Sequence, residues 1–328
     1  MQKRRLLLVA AVAAALSPAI VTAADGKNEY PARAVRMVVP FAPGGASDFV
    51  ARIIQPRMME LLGQQLVIDN RSGAAGNIGV EVAARANPDG YNILLGNVGT
   101  MAINPNVYLK FPVKPLRDLD PVTQVVDVPG CLVVHPSLPP KSLKELVSYL
   151  KANPNKLNYG SPAPSSANRL EMEMFLLKTG TKATHVNYKG GAGPAMIGLL
   201  GGEVQMMFVT FSSAVNFVKQ GKIRMLAAIS PERISALPDV PTMREQGFDM
   251  VVGSWQGIYV PKGTPRPVVD KLLDITQKTM QHPDVIKRLE DGGVPVILSK
   301  SPADFRKFWE AENQRFAKII KDANIETE

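Results

Sequence analysis

The sequence predicts an α/β protein of two lobes, each a mostly parallel sheet flanked by helices. Short apolar segments alternate with helical segments along the chain, which is typical of parallel strands joined by helical crossovers. The chain has 328 residues, a length that usually divides its core between two lobes. Of these residues, 45% are apolar, so each lobe can bury a core of its own.

The first α/β series begins with the strand-like segment VRMVVPF. A helix over residues 48–62, the strand QLVIDN, a helix over residues 77–86 and the strand YNILLGN follow. Gly63 and the turn at Pro88 are helix-stop and turn signals. Pro56 lies inside the first predicted helix and is expected to kink or shorten it, because proline lacks the amide proton that the helix uses.

A second series follows a proline-rich passage. It combines helices predicted over residues 142–152, 166–178 and 194–200 with the strands KLNYGS, THVNYKG, VQMMFVTF and RMLAAIS. The third part begins with the strand VVGSWQGIYVP and ends with helices predicted over residues 266–281 and 302–323.

The chain is expected to cross between the lobes twice, near residues 122–134 and near residues 251–260. This organisation makes the first lobe discontinuous. We therefore predict a first lobe of residues 25–126 and 254–328, and a second lobe of residues 127–253.

The N-terminus has the features of a secretory signal peptide: the basic start MQKRR, the apolar run LLLVAAVAAAL and the small-residue stretch VTAAD. We predict a leader of residues 1–24, cleaved after Ala23 or Ala24, and a periplasmic product. The apolar run is too short to span a bilayer. The single cysteine, Cys131, cannot form an internal disulfide, so the exported chain must be held together by its core.

The charge distribution argues against nucleic acid as a partner. The formal net charge of +9 includes three basic residues of the leader, and the remaining basic residues are interspersed with acidic ones. Aromatic residues make up only 6% of the chain. A basic surface interleaved with aromatic side chains is therefore not expected, whereas a mild positive field favours an anionic small molecule.

The segment PFAPGGASD contains the first candidate binding loop, in which a strand leads through Pro-Gly-Gly directly into a helix. The first amides of a helix have no internal acceptor and attract a carboxylate or phosphate. Gly44 and Gly45 would let a ligand approach the backbone, while Ser47 or Asp48 is expected to cap the helix. The alternative is an ordinary capped turn between a strand and a helix.

Two further loops repeat this design. Ser165 and Ser166 are expected at the start of the helix that follows KLNYGS, and the segment GNVGT presents the hydroxyl of Thr100. Two helix starts, one from each lobe, would hold opposite ends of a small anion in a common cleft.

The sequence offers little for catalysis, metal binding or cofactor binding. The glycines from Gly73 to Gly79 lack the spacing of a dinucleotide loop and more often permit close helix packing. The three histidines show neither metal-ligand spacing nor a paired nucleophile. We therefore predict no catalytic residue, metal ligand or cofactor. An exported serine hydrolase that uses Ser165 or Ser166 is the enzymatic alternative.

Several motifs together resemble the Bug/TctC family, the extracytoplasmic solute receptors of tripartite tricarboxylate transporters. They are PFAPGGASDFVAR, DNRSGAAGNIG, NPDGYNILLGNVGT with AINP, VNYKGGAGPAMIGLLGGEVQMMF and ALPDVPTMREQG. The resemblance implies a two-lobed periplasmic-binding-protein fold, type 2 like, that closes on a small organic carboxylate. It also implies membrane permease subunits as partners, and we expect a monomer. By the family pattern, the PFAPGG loop binds one carboxylate through its backbone, often through water, and the other two loops add donors.

One departure from the family pattern bears on the ligand. Relatives commonly carry Asp where this chain has Gln205 and Val209, and the second of these positions commonly faces the cleft. Without that carboxylate a ligand ammonium would lack a partner, so a less polar or aromatic carboxylate without an amino group is expected. Phe41, Tyr188 and Trp255 could line such a pocket. The alternative is that they are ordinary core residues, which is the favoured interpretation for Trp255.

The candidate ligand-binding residues are Phe41, Ala42, Gly44, Gly45, Ser47, Asp48, Asn97, Thr100, Ser161, Ser165, Ser166, Tyr188, Val209 and Thr210. A sensor subunit that passes the ligand signal to a membrane kinase would share this site, and the sequence does not separate the two outputs.

Overall fold

The computed structural model describes residues 30–162, 166–188, 192–230, 232–248, 250, 253–322 and 327. The expected leader over residues 1–24 and the candidate residue Ser165 lie outside the described residues.

The helices and strands form three successive groups along the chain. The first contains β1 (Val35–Val39), α1 (Ala46–Leu62), β2 (Leu66–Asn70), α2 (Asn77–Ala84), β3 (Asn92–Asn97), α3 (Asn104–Val107), α4 (Pro115–Asp118) and β4 (Leu119–Val128). The second contains β5 (Gly130–Val134), α5 (Leu143–Ala152), β6 (Asn158–Ser161), α6 (Ala167–Thr179), β7 (Thr184–Asn187), α7 (Ala192–Leu200), β8 (Met206–Thr210), α8 (Phe211–Lys219) and β9 (Arg224–Ile229). The third contains β10 (Ser254–Pro261), α9 (Arg266–Met280), α10 (Pro283–Asp291) and α11 (Pro302–Asp322).

Two five-stranded sheets confirm the two-lobed α/β class, but both are mixed rather than mostly parallel. The strand orders are β2-β1-β3-β10-β4 and β7-β6-β8-β5-β9. In the first sheet β10 runs antiparallel to both neighbours, and in the second sheet β5 does. Each of these strands enters its lobe from the other one. It therefore starts at the edge of its sheet where the parallel strands end, which are β1 in the first sheet and β6 and β8 in the second. For this reason it runs antiparallel to them.

The chain passes from the first sheet to the second at Pro129, because β4 ends at Val128 and β5 begins at Gly130. It returns at Ser254, where β10 begins. The first passage lies two residues beyond the boundary that the sequence places after residue 126.

Each sheet is covered on both faces by apolar clusters. In the first lobe, Ile54 of α1 and Leu272 of α9 belong to the cluster on one face, and Trp309 of α11 belongs to the other. Pro56 is exposed and does not end α1, because buried residues on the opposite side anchor the helix before and after it. Within the described ranges, no helix combines the length and apolar character needed to cross a membrane.

Candidate functional site

A cleft that is partly open to solvent lies between the lobes, and the empty space of the cleft together with the adjoining solvent is about 650 Å³. The first lobe contributes Phe41, Gly45, Ala46, Ser47, Ala75, Asn97, Val98, Gly99, Asn104 and Ser254. The second lobe contributes Pro162, Ser166, Ala167, Asn168, Ala192 and Thr210. None of these lining residues has a charged side chain, so the polar groups that the described residues present to the cleft are backbone groups, hydroxyls and amides.

The β1–α1 loop brings the start of α1 to the cleft, although its cap differs from the prediction. Gly45 is the N-cap residue, with φ −88° and ψ 174°, and no side chain accepts a hydrogen bond there. The expected capping by Ser47 or Asp48 is wrong. Because Gly45, Ala46 and Ser47 all line the cleft, the first turn of α1 faces it without a side-chain cap between.

Asp48 holds the loop in place and does not line the cleft. Its Oδ2 accepts hydrogen bonds from the amide of Gly44 (3.1 Å) and from Nε of Arg52 (2.9 Å). Burial opposes ionisation of Asp48, but these hydrogen bonds outweigh it and lower the pKa of the carboxyl. The ionised side chain therefore fixes the backbone of the Pro-Gly-Gly turn.

Of the other three residues predicted from this loop, one lines the cleft and two do not. Phe41 lines the cleft, and its carbonyl accepts a hydrogen bond from Nδ2 of Asn70 at 2.9 Å. Ala42 and Gly44 are not among the lining residues. Gly44 has φ +90°, a left-handed conformation that favours glycine, so it is required by the turn itself.

The loop after β3 presents Asn97 to the cleft, whereas Thr100 is turned inward. The hydroxyl of Thr100 accepts a hydrogen bond from the amide of Asn97 (3.2 Å), and Oδ1 of Asn97 accepts one from the amide of Thr100 (3.1 Å). Thr100 is only 1% exposed and does not line the cleft. Its hydroxyl therefore shapes the loop that carries Asn97.

Asn104 lines the cleft and was missed as a site residue, although the quoted AINP motif contains it. Its Nδ2 donates to the carbonyl of Ala75 (2.9 Å) and to Oδ1 of Asn77 (2.8 Å). These bonds connect the glycine-rich turn before α2 to the cleft, where Ala75 is also a lining residue. The glycine-rich turn therefore lies at the cleft, a position that the spacing of its glycines did not indicate.

In the second lobe Ser166 caps α6, as predicted for a serine at this helix start. Its Oγ accepts a hydrogen bond from the amide of Arg169 at 3.2 Å. Pro162 precedes it, and Ala167 and Asn168 follow it along the cleft. The start of α6 thus faces the start of α1 across the space between the lobes.

Ser161 is buried beside His185 rather than presented to the cleft. Its Oγ lies 2.7 Å from Nε2 of His185, whose ring stacks on Tyr159 with centroids 5.0 Å apart. Burial lowers the pKa of His185 to about 4, so the ring is neutral at neutral pH. Because Ser161 is 0% exposed, this pair supports the end of β6 rather than offering a nucleophile.

Val209 and Tyr188 do not line the cleft, contrary to the prediction. Val209 is fully buried in an apolar cluster with Cys131. Side chains alternate along a strand, so Thr210 lines the cleft while Val209 faces the core. The hydroxyl of Tyr188 donates to Glu203 at 2.9 Å, and its ring covers Gly198.

Trp255 belongs to the core, which is the alternative favoured for it from the sequence. Its Nε1 donates to Oε2 of Glu312 at 2.8 Å, and its ring packs edge-on against Phe305.

Asn168 is a lining residue with a buried carboxyl group behind it. Its Nδ2 donates to Oε2 of Glu171 at 3.3 Å, one turn further along α6. Glu171 is 2% exposed, and burial raises its pKa to about 8. Glu171 is therefore mostly protonated at neutral pH, and it adds little negative charge behind the cleft.

Removing the Ser166 hydroxyl is expected to lower the free energy of unfolding. Ser166→Ala leaves the amide of Arg169 without its capping acceptor, and loss of such a cap costs about 1 kcal/mol. Thermal and urea unfolding measure the change. Ser148→Ala is the matched control, since that exposed hydroxyl donates to the carbonyl of Lys144 inside α5. An equal effect of both substitutions would contradict a capping role for Ser166.

Comparison with known proteins gives a consistent result over nearly the whole chain. A family model described as the tripartite tricarboxylate transporter family receptor, TctC, matches residues 50–325. Protein BugT of Bordetella pertussis is 34% identical over 318 residues, which cover 96% of this chain and 97% of BugT.

Solved structures with bound carboxylates are similar to this chain. Rpa4515 of R. palustris, solved with adipate, is 35% identical with a TM-score of 0.88, and the match covers 91% of this chain and 100% of that one. MatC of Rhodopseudomonas palustris, solved with bound malate, is 32% identical with a TM-score of 0.83, and covers 89% of this chain and 100% of that one.

Proposed function

This chain belongs to the tripartite tricarboxylate transporter receptor family and is a periplasmic-type solute-binding protein rather than an enzyme, and from that premise we propose that it captures a small organic carboxylate. The ligand is held between the two lobes and handed to the membrane permease subunits of such a transporter. The observation that supports this most is the pairing of two helix starts, α1 and α6, across a cleft lined by uncharged groups.

The chemistry of the cleft suits a carboxylate. The amides at the start of a helix, together with the helix dipole, favour an anion. The first turn of α1 reaches the cleft without a side-chain cap, and the hydroxyls of Ser47, Ser166 and Thr210 belong to the lining residues. A hydrogen bond to a charged group contributes about 1.5 to 3 kcal/mol. Several such donors can therefore bind a carboxylate without an arginine or lysine.

The same cleft suits a ligand without an amino group. No acidic side chain is found among the described lining residues, so a ligand ammonium would be partly desolvated without a partner, which is costly. The preference does not depend on Val209, which lies in the core. Phe41 is the aromatic lining residue, and its ring can pack against the carbon skeleton of the ligand.

We place the mature protein in the periplasm as a monomer, with the leader removed after Ala23 or Ala24. Its lobes comprise residues 25–126 with 254–328, and residues 127–253. The passages at Pro129 and before Ser254 would then be the hinges about which the lobes close.

A thermal-shift screen of the mature protein tests the ligand class. Adipate, malate, benzoate and their amino-substituted counterparts are compared, with calorimetry of the compounds that stabilise. A ligand present at 100 times its dissociation constant raises the unfolding free energy by about 2.7 kcal/mol. We expect one or more carboxylates to stabilise the protein and the amino-substituted partner to be weaker. Stabilisation by amino acids alone would overturn the preference, and stabilisation by none of the carboxylates would overturn the proposed function.

Ligand binding is also expected to bring the lobes together as rigid bodies. Because each sheet has its own apolar clusters, closure can occur at the two crossings without refolding either lobe. Small-angle scattering with and without a saturating ligand measures the radius of gyration. We expect a smaller value with ligand and unchanged far-ultraviolet circular dichroism. Loss of secondary structure on binding would contradict rigid-body closure.

A further inference from the structure

Glu171, on α6, is a buried carboxyl group in direct contact with a residue that lines the cleft. The residue is 2% exposed. Its Oε2 accepts a hydrogen bond from Nδ2 of the lining residue Asn168 at 3.3 Å. Its Oε1 packs against the start of β5, where a Cβ on Gly130 would lie 3.1 Å from it. Glu171 therefore lies where the cleft meets the first passage of the chain between the lobes.

Within the described residues, no basic side chain offsets a charge on Glu171. On the same helix, Arg169 pairs with Glu173 at 3.5 Å instead. The titratable group that faces Glu171 from β5 is the thiol of Cys131, whose pKa is raised by burial and further by Glu171. That thiol is therefore neutral. Burial likewise raises the pKa of Glu171 to about 8, so this carboxyl titrates just above neutral pH.

A charge on Glu171 would act on the helix start that faces the ligand. Glu171 is in the second turn of α6, which begins after the N-cap residue Ser166. The first amides of the helix and its dipole favour an anion. A negative charge in the second turn opposes that potential, and burial keeps water from screening it. A neutral Glu171 thus leaves the start of α6 attractive to a carboxylate, whereas an ionised Glu171 repels one.

Asn168 carries the same effect to the surface of the cleft. A protonated carboxyl group can donate to Oδ1 of Asn168, which leaves the hydrogens of Nδ2 for a ligand. An ionised carboxyl group has only acceptors and therefore holds Nδ2. A half-turn of the side-chain amide exchanges the two arrangements. Loss of the proton from Glu171 therefore withdraws a donor from the ligand and adds a repelling charge behind it.

We propose that Glu171 makes ligand binding proton-linked: the cleft binds a carboxylate strongly while this carboxyl group is neutral, and binding drives uptake of a proton. This inference rests on the proposed function as a carboxylate receptor. The negative charge of the ligand raises the pKa of Glu171 further, so the bound state holds more protons than the free state. Affinity is therefore full below the pKa of the free protein and falls as the pH rises through it.

The affinities of the mature protein for adipate, malate and benzoate at pH 7 and pH 9 test this linkage. The carboxylates of all three probes are ionised in this range, so their own protonation does not contribute. If binding raises the pKa of Glu171 by about one unit, affinity should be roughly fivefold weaker at pH 9 than at pH 7. Calorimetry at pH 8 in HEPES and in Tris, which differ in enthalpy of ionisation, should show uptake of about 0.4 proton per bound ligand.

Glu171→Gln is the decisive variant, because glutamine has nearly the same shape and carries no charge at any pH. Its affinity at pH 7 should be close to that of the unsubstituted protein, should stay constant up to pH 9, and should involve no proton uptake. Glu173→Gln is the matched control on the same helix, since Glu173 is partly exposed and accepts a hydrogen bond from Tyr159. This variant should keep both the pH dependence and the proton uptake. Circular dichroism at both pH values checks that each protein is folded.

Two measurements on the unsubstituted protein can overturn the inference without any variant: equal affinities at pH 7 and pH 9, and binding at pH 8 without proton uptake. An undiminished pH dependence in Glu171→Gln would overturn it as well, because another group would then be the source. In each case the protein still binds a carboxylate, so the proposed function stands. Binding of none of the three probes would instead remove the proposed function, and this inference with it.

Discussion

Gly45→Val is expected to weaken carboxylate binding by roughly ten- to a hundredfold. A Cβ at Gly45 would lie 3.9 Å from the Cβ of Ala192, which belongs to the opposite lobe. The two further methyl carbons of valine extend beyond that Cβ and would overfill the space between the lobes. Overpacking costs about 1 to 3 kcal/mol, and here it opposes closure on the ligand. Calorimetry with the tightest-binding carboxylate measures the change.

Gly45→Ala is the control for this prediction. Its single methyl group makes only ordinary contacts, at 3.9 Å and 4.0 Å, while alanine and valine are both poor N-cap residues. The backbone at Gly45 is extended, so either side chain fits without strain. Alanine should therefore share any loss of helix stability but retain most of the affinity. Equal affinities of the two variants would show that this contact between the lobes does not limit binding.

Glu171→Gln is expected to stabilise the protein by roughly 3 kcal/mol at pH 7. Burial raises the pKa of Glu171 from 4.5 to about 8 in the folded protein, so the folded state retains a proton that the unfolded state releases. The contribution to stability is complete below pH 4.5 and is lost as the pH rises towards 8. One pKa unit corresponds to about 1.4 kcal/mol. Glutamine is neutral throughout and removes this loss.

The measurement is the free energy of unfolding by urea at pH 5 and at pH 8. In the unsubstituted protein, Glu171 should lower the free energy of unfolding between pH 5 and pH 8. In Glu171→Gln this decrease should be smaller. Glu173→Gln is the control on the same helix, because Glu173 is partly exposed and accepts a hydrogen bond from Tyr159 at 2.5 Å. An equal pH dependence in all three proteins would mean that Glu171 is ionised in the folded state.

Local features of the sequence determined much of the fold. The alternation of short apolar segments with helical segments predicted both α/β lobes. The Pro-Gly-Gly turn predicted the loop that places the start of α1 at the cleft, and Ser166 was placed at a helix start, where it caps α6. These properties depend on a few neighbouring residues: the period of the apolar positions, the conformations open to glycine, and the side chains that cap helices.

The tertiary structure alone decided which residues face the cleft. A strand has two faces, and the sequence does not say which one meets the other lobe. The family pattern placed Val209 in the cleft beside Thr210, but only Thr210 lines it and Val209 lies in the core. Asp48 had the residue type of a cap but holds the amide of Gly44. Glu171 gave no sequence signal, because its significance comes from being buried without a counter-charge. Burial and pairing depend on residues distant in the chain, and only the packed structure brings those residues together.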